Sequence, residues 1–181
     1  MNDRRVILQV EDDPNDVMLL ERAFKKAGLE AELLVVPDGE ELINYLDGNG
    51  AFRDRGRFPL PTLVLLDIKL PRRSGFDVLR WMRSRPGGWR VPVVMLTSSN
   101  QPLDVDRAYE SGASGYIVKS IDFESLVRSL RAIDDFWMKS NVIPPLNGKI
   151  GSGTASDANH LLRGVPGAAV FPPERIFTSG E

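Results

Sequence analysis

The sequence has 181 residues, of which 42% are hydrophobic and 27% are charged, and its formal net charge is −2. This composition is typical of a globular domain in water and excludes a strongly basic nucleic-acid-binding protein. The absence of cysteine excludes disulfides, thiol catalysis and cysteine-ligated metal clusters, and the single histidine, His160, argues against a histidine-rich metal site. No uncharged apolar run reaches the roughly 18 residues of a membrane-spanning helix. The N-terminus lacks the apolar core of a signal peptide, so we expect a cytoplasmic protein without membrane contact.

Five short apolar runs, each bounded by turn residues, recur through the first 140 residues. They cover residues 6–10, 33–36, 63–66, 93–96 and 116–118. Near-continuous apolar strands are what a parallel sheet covered on both faces requires. The runs therefore predict five parallel strands.

Amphipathic stretches separate these runs. In residues 14–27, Leu20, Phe24 and Ala27 recur at helical spacing, and Gly28 follows where a helix would end. Similar patterns cover 38–47, 75–84 and 102–111, and the last helix is predicted over about 121–139. Strands that alternate with helices in this way predict an open, doubly wound α/β sheet.

Two segments depart from the alternation. Residues 48–61 form a long loop whose arginines at 53, 55 and 57 are expected to be solvated rather than to bind nucleic acid. Residues 141–181 contain 6 glycines and 5 prolines in 41 positions. Such a composition buries too little apolar surface to fold alone. We therefore expect a domain over residues 1–140, followed by an extension that is disordered or lies on another surface.

Polar and charged side chains follow four of the predicted strands at their carboxyl ends, the edge at which ligands bind in such sheets. They are Glu11 and Asp12 after the first strand, Asp67 after the third, Thr97 after the fourth and Lys119 after the fifth. Asp13 directly precedes Pro14, so we expect it to cap the next helix instead.

The chemistry of these side chains favours phosphoryl transfer. Carboxylates that converge repel each other unless a hard divalent cation such as Mg²⁺ joins them. With such a cation, Asp67 can act as nucleophile or ligand, Lys119 can neutralise developing charge, and Thr97 can donate a hydrogen bond. These are the groups that in-line phosphoryl transfer needs.

The sequence resembles the receiver domains of two-component response regulators over about residues 5–138. The matching motifs are VEDD at 10–13, LLDIKLPRRSG at 65–75, LTS at 96–98 and GYIVK at 115–119. The resemblance implies a flavodoxin-like (βα)5 fold with strand order 2-1-3-4-5. It also implies a receiver domain over residues 1–140 that signals through protein contacts.

The resemblance implies a role for each site residue. Asp67 would accept a phosphoryl group from a sensor histidine kinase in a Mg²⁺-dependent reaction. Asp67 and Asp12 would bind the ion directly, Glu11 through water and Lys69 through its backbone carbonyl. Such a protein catalyses only its own phosphorylation and dephosphorylation and is not otherwise an enzyme.

Three further residues carry implied roles around the phosphoryl group. Thr97 and Lys119 would hold its oxygens, and Tyr116 would be the switch residue that turns inward when Thr97 moves. The family usually has proline after the lysine, often with a cis peptide bond, whereas this sequence has Ser120. Because a cis bond before a non-proline residue costs about 2.5–4 kcal/mol, we expect Lys119–Ser120 to be trans.

A narrower resemblance is to the stand-alone receivers paired with bacterial and cyanobacterial phytochromes. It rests on the long loop before the third strand, on LLDIKLPRRSGFDVL and on the extended last helix that ends DDFWMKSNVIPP. This resemblance implies a phytochrome as the kinase and a homodimer formed through the last helix and the C-terminal extension. Phe136 and Trp137 are adjacent and cannot both join the core, so we expect them at that interface.

Other functions have less support. A Mg²⁺-dependent phosphohydrolase with an aspartate nucleophile needs a second acid two residues further on, where Lys69 stands. Nucleotide binding needs G-x-G-x-x-G after the first strand, where the acidic residues stand. A degenerate receiver that acts as a scaffold has Ser120 as its only support.

Overall fold

The computed structural model describes residues 4–120 and 122–142. The strands are β1 (Val6–Val10), β2 (Glu32–Val36), β3 (Leu63–Leu66), β4 (Val93–Thr97) and β5 (Gly115–Val118). The α-helices are α1 (Pro14–Ala27), α2 (Gly39–Asp47), α3 (Gly75–Ser84), α4 (Pro102–Glu110) and α5 (Phe123–Ile133). Most of the predicted C-terminal extension, including His160, lies outside the described residues. Among the described helices, none has both the length and the apolar character needed to cross a membrane.

The strands form one parallel sheet in the order β2-β1-β3-β4-β5, which confirms the predicted fold. Three strands, β2, β4 and β5, are each one residue longer than their apolar runs because backbone pairing extends past the apolar residues. Gly115 pairs with Val94 at the start of β5. Glu32 pairs with Val6 at the start of β2, and Thr97 pairs with Val118 at the end of β4. The pairing of Thr97 holds it in the sheet next to the fifth strand.

The ends of α1 and α2 have local causes in the sequence. The Asp13 side chain accepts a hydrogen bond from the Asn15 amide at 2.8 Å, so Asp13 caps α1 as expected. Asp38 caps α2 in the same way, and the helix therefore starts one residue later than predicted. Gly28 and Gly48 end the two helices with φ of 73° and 70°, a conformation that favours glycine.

The sheet separates two hydrophobic cores, because alternate strand residues face opposite sides. On one side, which we call the α1–α5 face, Ile7 and Leu65 pack against α1 and α5. On the other, the α2–α4 face, Leu8 and Val64 pack against α2, α3 and α4. Both faces of the strands are covered, which is why the apolar runs in the sequence are continuous.

The last helix differs from the prediction. The α-helix ends at Ile133, and the chain continues as a π-helical segment over Asp134–Ser140. Met138, five residues after Ile133, is buried, and this spacing matches the i→i+5 hydrogen bonds of a π-helix. The Asn141 amide makes such a bond to the Phe136 carbonyl at 2.7 Å. The wider turn therefore keeps the apolar side chains against the core.

The loop before β3 is more ordered than its composition suggests. It contains a 3₁₀ turn over Gly50–Arg53, and Phe52 and Phe58 pack against Tyr45 of α2 with ring centroids 5.2 and 6.1 Å away. The expectation that all three loop arginines are solvated is wrong for Arg55. Its guanidinium donates hydrogen bonds at 2.7 Å to the carbonyls of Tyr45 and Leu46, which the end of α2 leaves free.

Candidate functional site

The carboxyl ends of the parallel strands bring the predicted polar residues to one edge of the sheet. Backbone hydrogen bonds continue past the strands and fix three of these residues. The Glu11 amide donates to the Val36 carbonyl at 3.1 Å, and the Asp67 amide donates to the Val10 carbonyl at 3.2 Å. The Lys119 amide donates to the Thr97 carbonyl at 2.7 Å. The positions of these side chains are therefore set by the sheet itself.

Lys119 is the centre of the site. Its Nζ lies 2.5 Å from Glu11 Oε2, 2.6 Å from Asp16 Oδ2 and 3.1 Å from Asp67 Oδ2. The Lys119 side chain is only 17% exposed. Carboxylates from β1, β3 and the first turn of α1 thus surround one ammonium group from the end of β5.

Burial and charge act in opposite directions on these groups. Burial raises the pKa of Glu11, and the hydrogen bond and charge of Lys119 partly offset this. Burial alone would lower the pKa of Lys119, but hydrogen bonds with Asp16 and Glu11 and the charge of Asp67 raise it above its ordinary value. Lys119 is therefore held as a cation at neutral pH, and Glu11 lies where a positive charge stabilises its ionised form.

The Asp67 carboxylate is fixed by its own loop. Its Oδ1 accepts hydrogen bonds from the backbone amides of Ile68 at 2.6 Å and Lys69 at 3.4 Å. Gly75 at the start of α3 packs against the same loop, since a Cβ there would lie 2.1 Å from the Asp67 carbonyl oxygen. Glycine is therefore required at the last position of the LLDIKLPRRSG motif, a requirement that no local pattern in the sequence indicates.

Thr97 and Tyr116 meet at the turn after β4. Thr97 is fully buried, and its Oγ1 accepts a hydrogen bond from the Ser99 amide at 3.4 Å. The Tyr116 hydroxyl donates to the Ser99 carbonyl at 3.0 Å. Both predicted switch residues therefore contact the same backbone residue, and their predicted roles stay predictions.

Asp12 and Lys69 are not part of the buried cluster. Both side chains are exposed, and neither makes a hydrogen bond with the described part of the chain. Asp12 directly follows Glu11 in the sequence, and Lys69 is two residues after Asp67. The structure therefore brings together Glu11, Asp67 and Lys119, while these two residues lie next to the group.

The carboxylates at the site fit a Mg²⁺ ion that keeps most of its water ligands. Within residues 4–120 and 122–142, no three acidic side chains are grouped closely enough to hold a metal ion by themselves. Mg²⁺ in phosphoryl-transfer sites is commonly bound by one or two carboxylates together with water and phosphate oxygens. Glu11 and Asp67 supply two carboxylates near one point, and burial raises the pKa of Glu11 because its charge lacks water. A bound Mg²⁺ ion would offset the free-energy cost of keeping the Glu11 carboxylate charged away from water.

Asp16 is the site residue that the sequence analysis missed. It stands three residues after the cap of α1, where an acidic residue is ordinarily explained by the helix dipole. Its contact with Lys119 depends on the tertiary placement of the start of α1 relative to the residue that follows β5, which no local pattern reveals. The one available signal is its position in the first turn after the acidic motif.

The predicted interface residues occupy different environments. Phe136 is 55% exposed, whereas Trp137 is partly buried against the core of the α1–α5 face. Their rings are in edge contact, with centroids 4.8 Å apart. One aromatic side chain therefore joins the core and the other lies at the surface, as expected for adjacent helical residues.

Comparison with known proteins agrees with this geometry. Residues 7–131 match the family model described as the response regulator receiver domain. The response regulator Rcp1 of Synechocystis sp. PCC 6803 is 33% identical over 143 residues, which cover 79% of this chain and 95% of Rcp1. The Mn²⁺-bound structure of Rcp1 superposes with a TM-score of 0.68 and covers 78% of this chain and 99% of its own.

Two further solved structures are similar over the same 78% of the chain and 99% of their own. The phosphorylated cyanobacterial phytochrome response regulator RcpA is 31% identical, with a TM-score of 0.71. The response regulator RPA3017, from red light signalling of R. palustris, is 33% identical, with a TM-score of 0.74. Together with the strand order and the acidic edge built around Asp67, these matches show that the chain belongs to the response regulator receiver family, whose members are signalling proteins phosphorylated by sensor histidine kinases.

Proposed function

We propose that Asp67 is the residue that accepts the phosphoryl group and that the phosphorylated protein signals through contacts with other proteins. One observation carries this proposal. The Oδ2 atom of Asp67 lies 3.1 Å from a lysine ammonium that also binds Glu11 and Asp16, at the carboxyl edge of the sheet. A carboxylate nucleophile next to a fixed positive charge is what phosphoryl transfer requires.

In the proposed reaction, a carboxylate oxygen of Asp67 attacks the phosphorus of a kinase phosphohistidine. The new O–P bond forms as the P–N bond breaks, and the leaving imidazole keeps the electron pair and takes up a proton. The backbone amide of Ile68 holds the carboxylate in place. Lys119 neutralises negative charge on the transferred group, and the Thr97 hydroxyl donates a hydrogen bond to it.

Magnesium is the proposed cofactor of this reaction. Asp12 and Asp67 would bind it directly, Glu11 through water and Lys69 through its backbone carbonyl. When bound, the ion supplies positive charge to the phosphoryl oxygens. The exposed position of Asp12 leaves its carboxylate free to turn toward the cluster.

The proposed kinase is a phytochrome acting in the cytoplasm. Support comes from relatives that match this chain over nearly their whole length, among them a regulator named for cyanobacterial phytochrome and one named for red light signalling. We assign the receiver domain to residues 1–140. Residues 141–181 would be a disordered or dimer-contacting extension, and a homodimer would form through Phe136 and Trp137 on the last helix together with that extension.

Tyr116 is the proposed switch residue. It would change position together with Thr97 when Asp67 is phosphorylated.

Intact mass after incubation with Mg²⁺ and acetyl phosphate tests the acceptor. We expect a gain of one phosphoryl group in the wild type and none in Asp67→Asn. The matched control is Asp106→Asn, an exposed aspartate on α4, which should be phosphorylated like the wild type. Steady release of phosphate from phosphate esters without modification would indicate a phosphohydrolase instead. No modification even with the kinase would indicate a scaffold.

Light scattering tests the dimer. Phe136→Ala removes an exposed ring and leaves the core intact, so we expect a weaker dimer, as we do for a chain that ends at residue 140. Leu103→Ala, which removes an 80% exposed side chain from α4, is the matched control. Dimers of unchanged affinity in both variants would exclude an interface at this end of the molecule.

A further inference from the structure

One residue in the loop after β3 has an unfavourable backbone conformation. Arg72 has a φ of 64°, and within residues 4–120 and 122–142 it is the only residue other than glycine with a positive φ. The Arg73 amide donates to the Pro71 carbonyl at 2.7 Å, so Arg72 is the central residue of a γ-turn. The form of this turn with positive φ is rare, because the Cβ of an L-residue crowds the backbone there. Arg72 therefore needs other contacts to stabilise it in this conformation.

Arg72 forms an ion pair with Asp38 at the start of α2. Its Nη2 atom donates a hydrogen bond to Asp38 Oδ2, and its Nε atom lies 3.8 Å from Glu40 Oε2. The Asp38 side chain has no exposed surface. Its other oxygen, Oδ1, accepts hydrogen bonds from the amides of Glu40 and Glu41 at 2.8 and 3.0 Å. Because the first turn of α2 fixes the Asp38 carboxylate, it is a rigid partner for the Arg72 guanidinium.

A packing contact joins the same two segments. Gly39 is the first residue of α2, and a Cβ on it would lie 3.1 Å from both the Cβ and the carbonyl oxygen of Arg73. The start of α2 therefore packs directly against the residue that follows Arg72. An ion pair and a close packing contact thus hold the middle of the loop after β3 against α2.

The same loop begins with the proposed phosphoryl acceptor. Arg72 is the fifth residue after Asp67. The Gly75 amide donates to the Ile68 carbonyl at 2.9 Å and closes the loop. The Lys69 amide donates to Asp67 Oδ1 at 3.4 Å, and the Lys69 carbonyl is the group proposed to bind Mg²⁺. Because both ends of the loop are fixed, the residues between them, including Lys69, must compensate for any change of φ at Arg72.

We propose that Arg72 is a positioning residue for the divalent-cation site, because its ion pair with Asp38 holds the γ-turn at positive φ and thereby fixes the backbone of Lys69. Arg72 acts through the loop and does not itself contact the ion. Asp38 then has two roles, since one oxygen caps α2 and the other holds the loop after β3. This inference rests on the proposed Mg²⁺ site and extends it to a pair of residues outside that site.

Binding of Mn²⁺, measured by the loss of the electron paramagnetic resonance signal of the free ion, tests the proposal without a phosphodonor. The main comparison is between Arg72→Ala and Arg72→Gly, which have the same charge and differ by one methyl group. Neither can form the ion pair, but glycine adopts positive φ readily and alanine does not. We expect Arg72→Ala to bind Mn²⁺ about threefold to tenfold more weakly than Arg72→Gly. If Arg72 acted only through its charge, the two variants would bind Mn²⁺ equally, and this result would overturn the proposal.

Asp38 allows the same comparison from the other side of the ion pair. Asp38→Ser keeps a side-chain oxygen that can cap α2 and removes the partner of Arg72. We expect Asp38→Ser to bind Mn²⁺ about threefold to tenfold more weakly than the wild type, and the added change Arg72→Gly to restore most of this loss. A loss that glycine does not restore would assign Asp38 to the cap alone and would contradict the proposal.

Arg85→Ala is the matched control. Arg85 lies 3.3 Å from Asp47, and this ion pair joins the C-terminal ends of α2 and α3. Its removal should leave the Mn²⁺ affinity at the wild-type value. Circular dichroism checks that each variant is folded, and the comparison at Arg72 stands even if the Asp38 variant is not.

Intact mass after incubation with acetyl phosphate reports on the proposed function separately. A wild type that binds Mn²⁺ but gains no phosphoryl group contradicts the proposed function, while the comparison at Arg72 still decides the positioning role. A wild type that is phosphorylated, with Arg72→Ala and Arg72→Gly equal in Mn²⁺ affinity, contradicts the positioning role alone. A wild type that binds no Mn²⁺ contradicts both the proposed cofactor and the positioning role.

Discussion

The two faces of the sheet differ in whether a buried polar side chain has a hydrogen-bond partner. On the α2–α4 face, Tyr45 is 1% exposed, and its hydroxyl donates to the Pro59 carbonyl at 2.6 Å. On the α1–α5 face, Gln9 is 2% exposed, and its Oε1 has no partner in the described part of the chain. The two side chains are equally buried, so burial alone does not determine whether a polar side chain has a hydrogen-bond partner.

The surroundings of the two residues explain the difference. Phe52 and Phe58 pack around Tyr45, and Arg55 fixes the loop that supplies Pro59. The loop before β3 thus provides the acceptor for the buried Tyr45 hydroxyl. The opposite face has no such loop, and a cavity remains next to Gln9. The difference between the two residues therefore lies in the loop before β3, which supplies a carbonyl acceptor to the Tyr45 hydroxyl.

The largest expected effect is that of Tyr45→Ala. It removes a fully buried ring from the aromatic cluster and should lower the free energy of unfolding by about 3–5 kcal/mol. The measurement is urea denaturation at neutral pH. Tyr109→Ala, on the surface of α4 with 52% exposure, is the control and should change stability little. A small loss in Tyr45→Ala would mean that the aromatic cluster contributes little to the stability of the α2–α4 face.

The pH dependence of Tyr45 gives the next largest effect. Burial raises the pKa of this tyrosine from about 10 to about 12, although the charge of Arg55 opposes the shift. The folded state therefore keeps the proton longer than the unfolded state. Its contribution to stability is complete below pH 10 and is lost between pH 10 and 12, by about 2–3 kcal/mol in all.

Tyr45→Phe is the matched variant for this titration because it cannot ionise. At pH 8 it should be less stable than the wild type by about 1 kcal/mol, the worth of the hydrogen bond to Pro59. Near pH 12 the order should reverse, which denaturation curves at both pH values can check. A constant difference between the two proteins across this range would show that the hydroxyl is not buried.

The smallest effect is expected for Gln9→Leu, and it has the opposite sign. Leucine fills a similar space without an unpaired acceptor, so we expect the free energy of unfolding to rise by about 1–2 kcal/mol. Urea denaturation measures the change, and Gln101→Leu at an exposed position is the control. If Gln9→Leu instead destabilises the protein, the glutamine has a structural partner and the contrast between the faces disappears.

Most of the fold follows from local patterns in the sequence. Buried parallel strands require continuous apolar runs, so β1 and β3 were predicted with their observed bounds. The same holds for α1, whose ends are marked by Asp13 and Gly28. The π-helical segment was missed because the apolar pattern of α5 continues through it. The change from a four-residue to a five-residue spacing, which buries Met138, is too small to be recognised in advance.

The site was predictable where it depends on strand ends and not where it depends on packing. The sheet edge alone brings Glu11, Asp67 and Lys119 together, and each directly follows a strand. Asp16 and Arg55 could not be found in this way. Each side chain reaches a partner on another element, and the direction of a long side chain is set by tertiary contacts rather than by neighbouring residues.

The close approach of Gly75 to the loop after β3 has a mechanical consequence. A hydrogen atom is all that fits between this residue and the Asp67 carbonyl, and the Gly75 amide also donates to the Ile68 carbonyl at 2.9 Å. The first turn of α3 therefore cannot shift independently of the backbone of Asp67. A displacement of that backbone by even a few tenths of an ångström must carry the start of the helix with it.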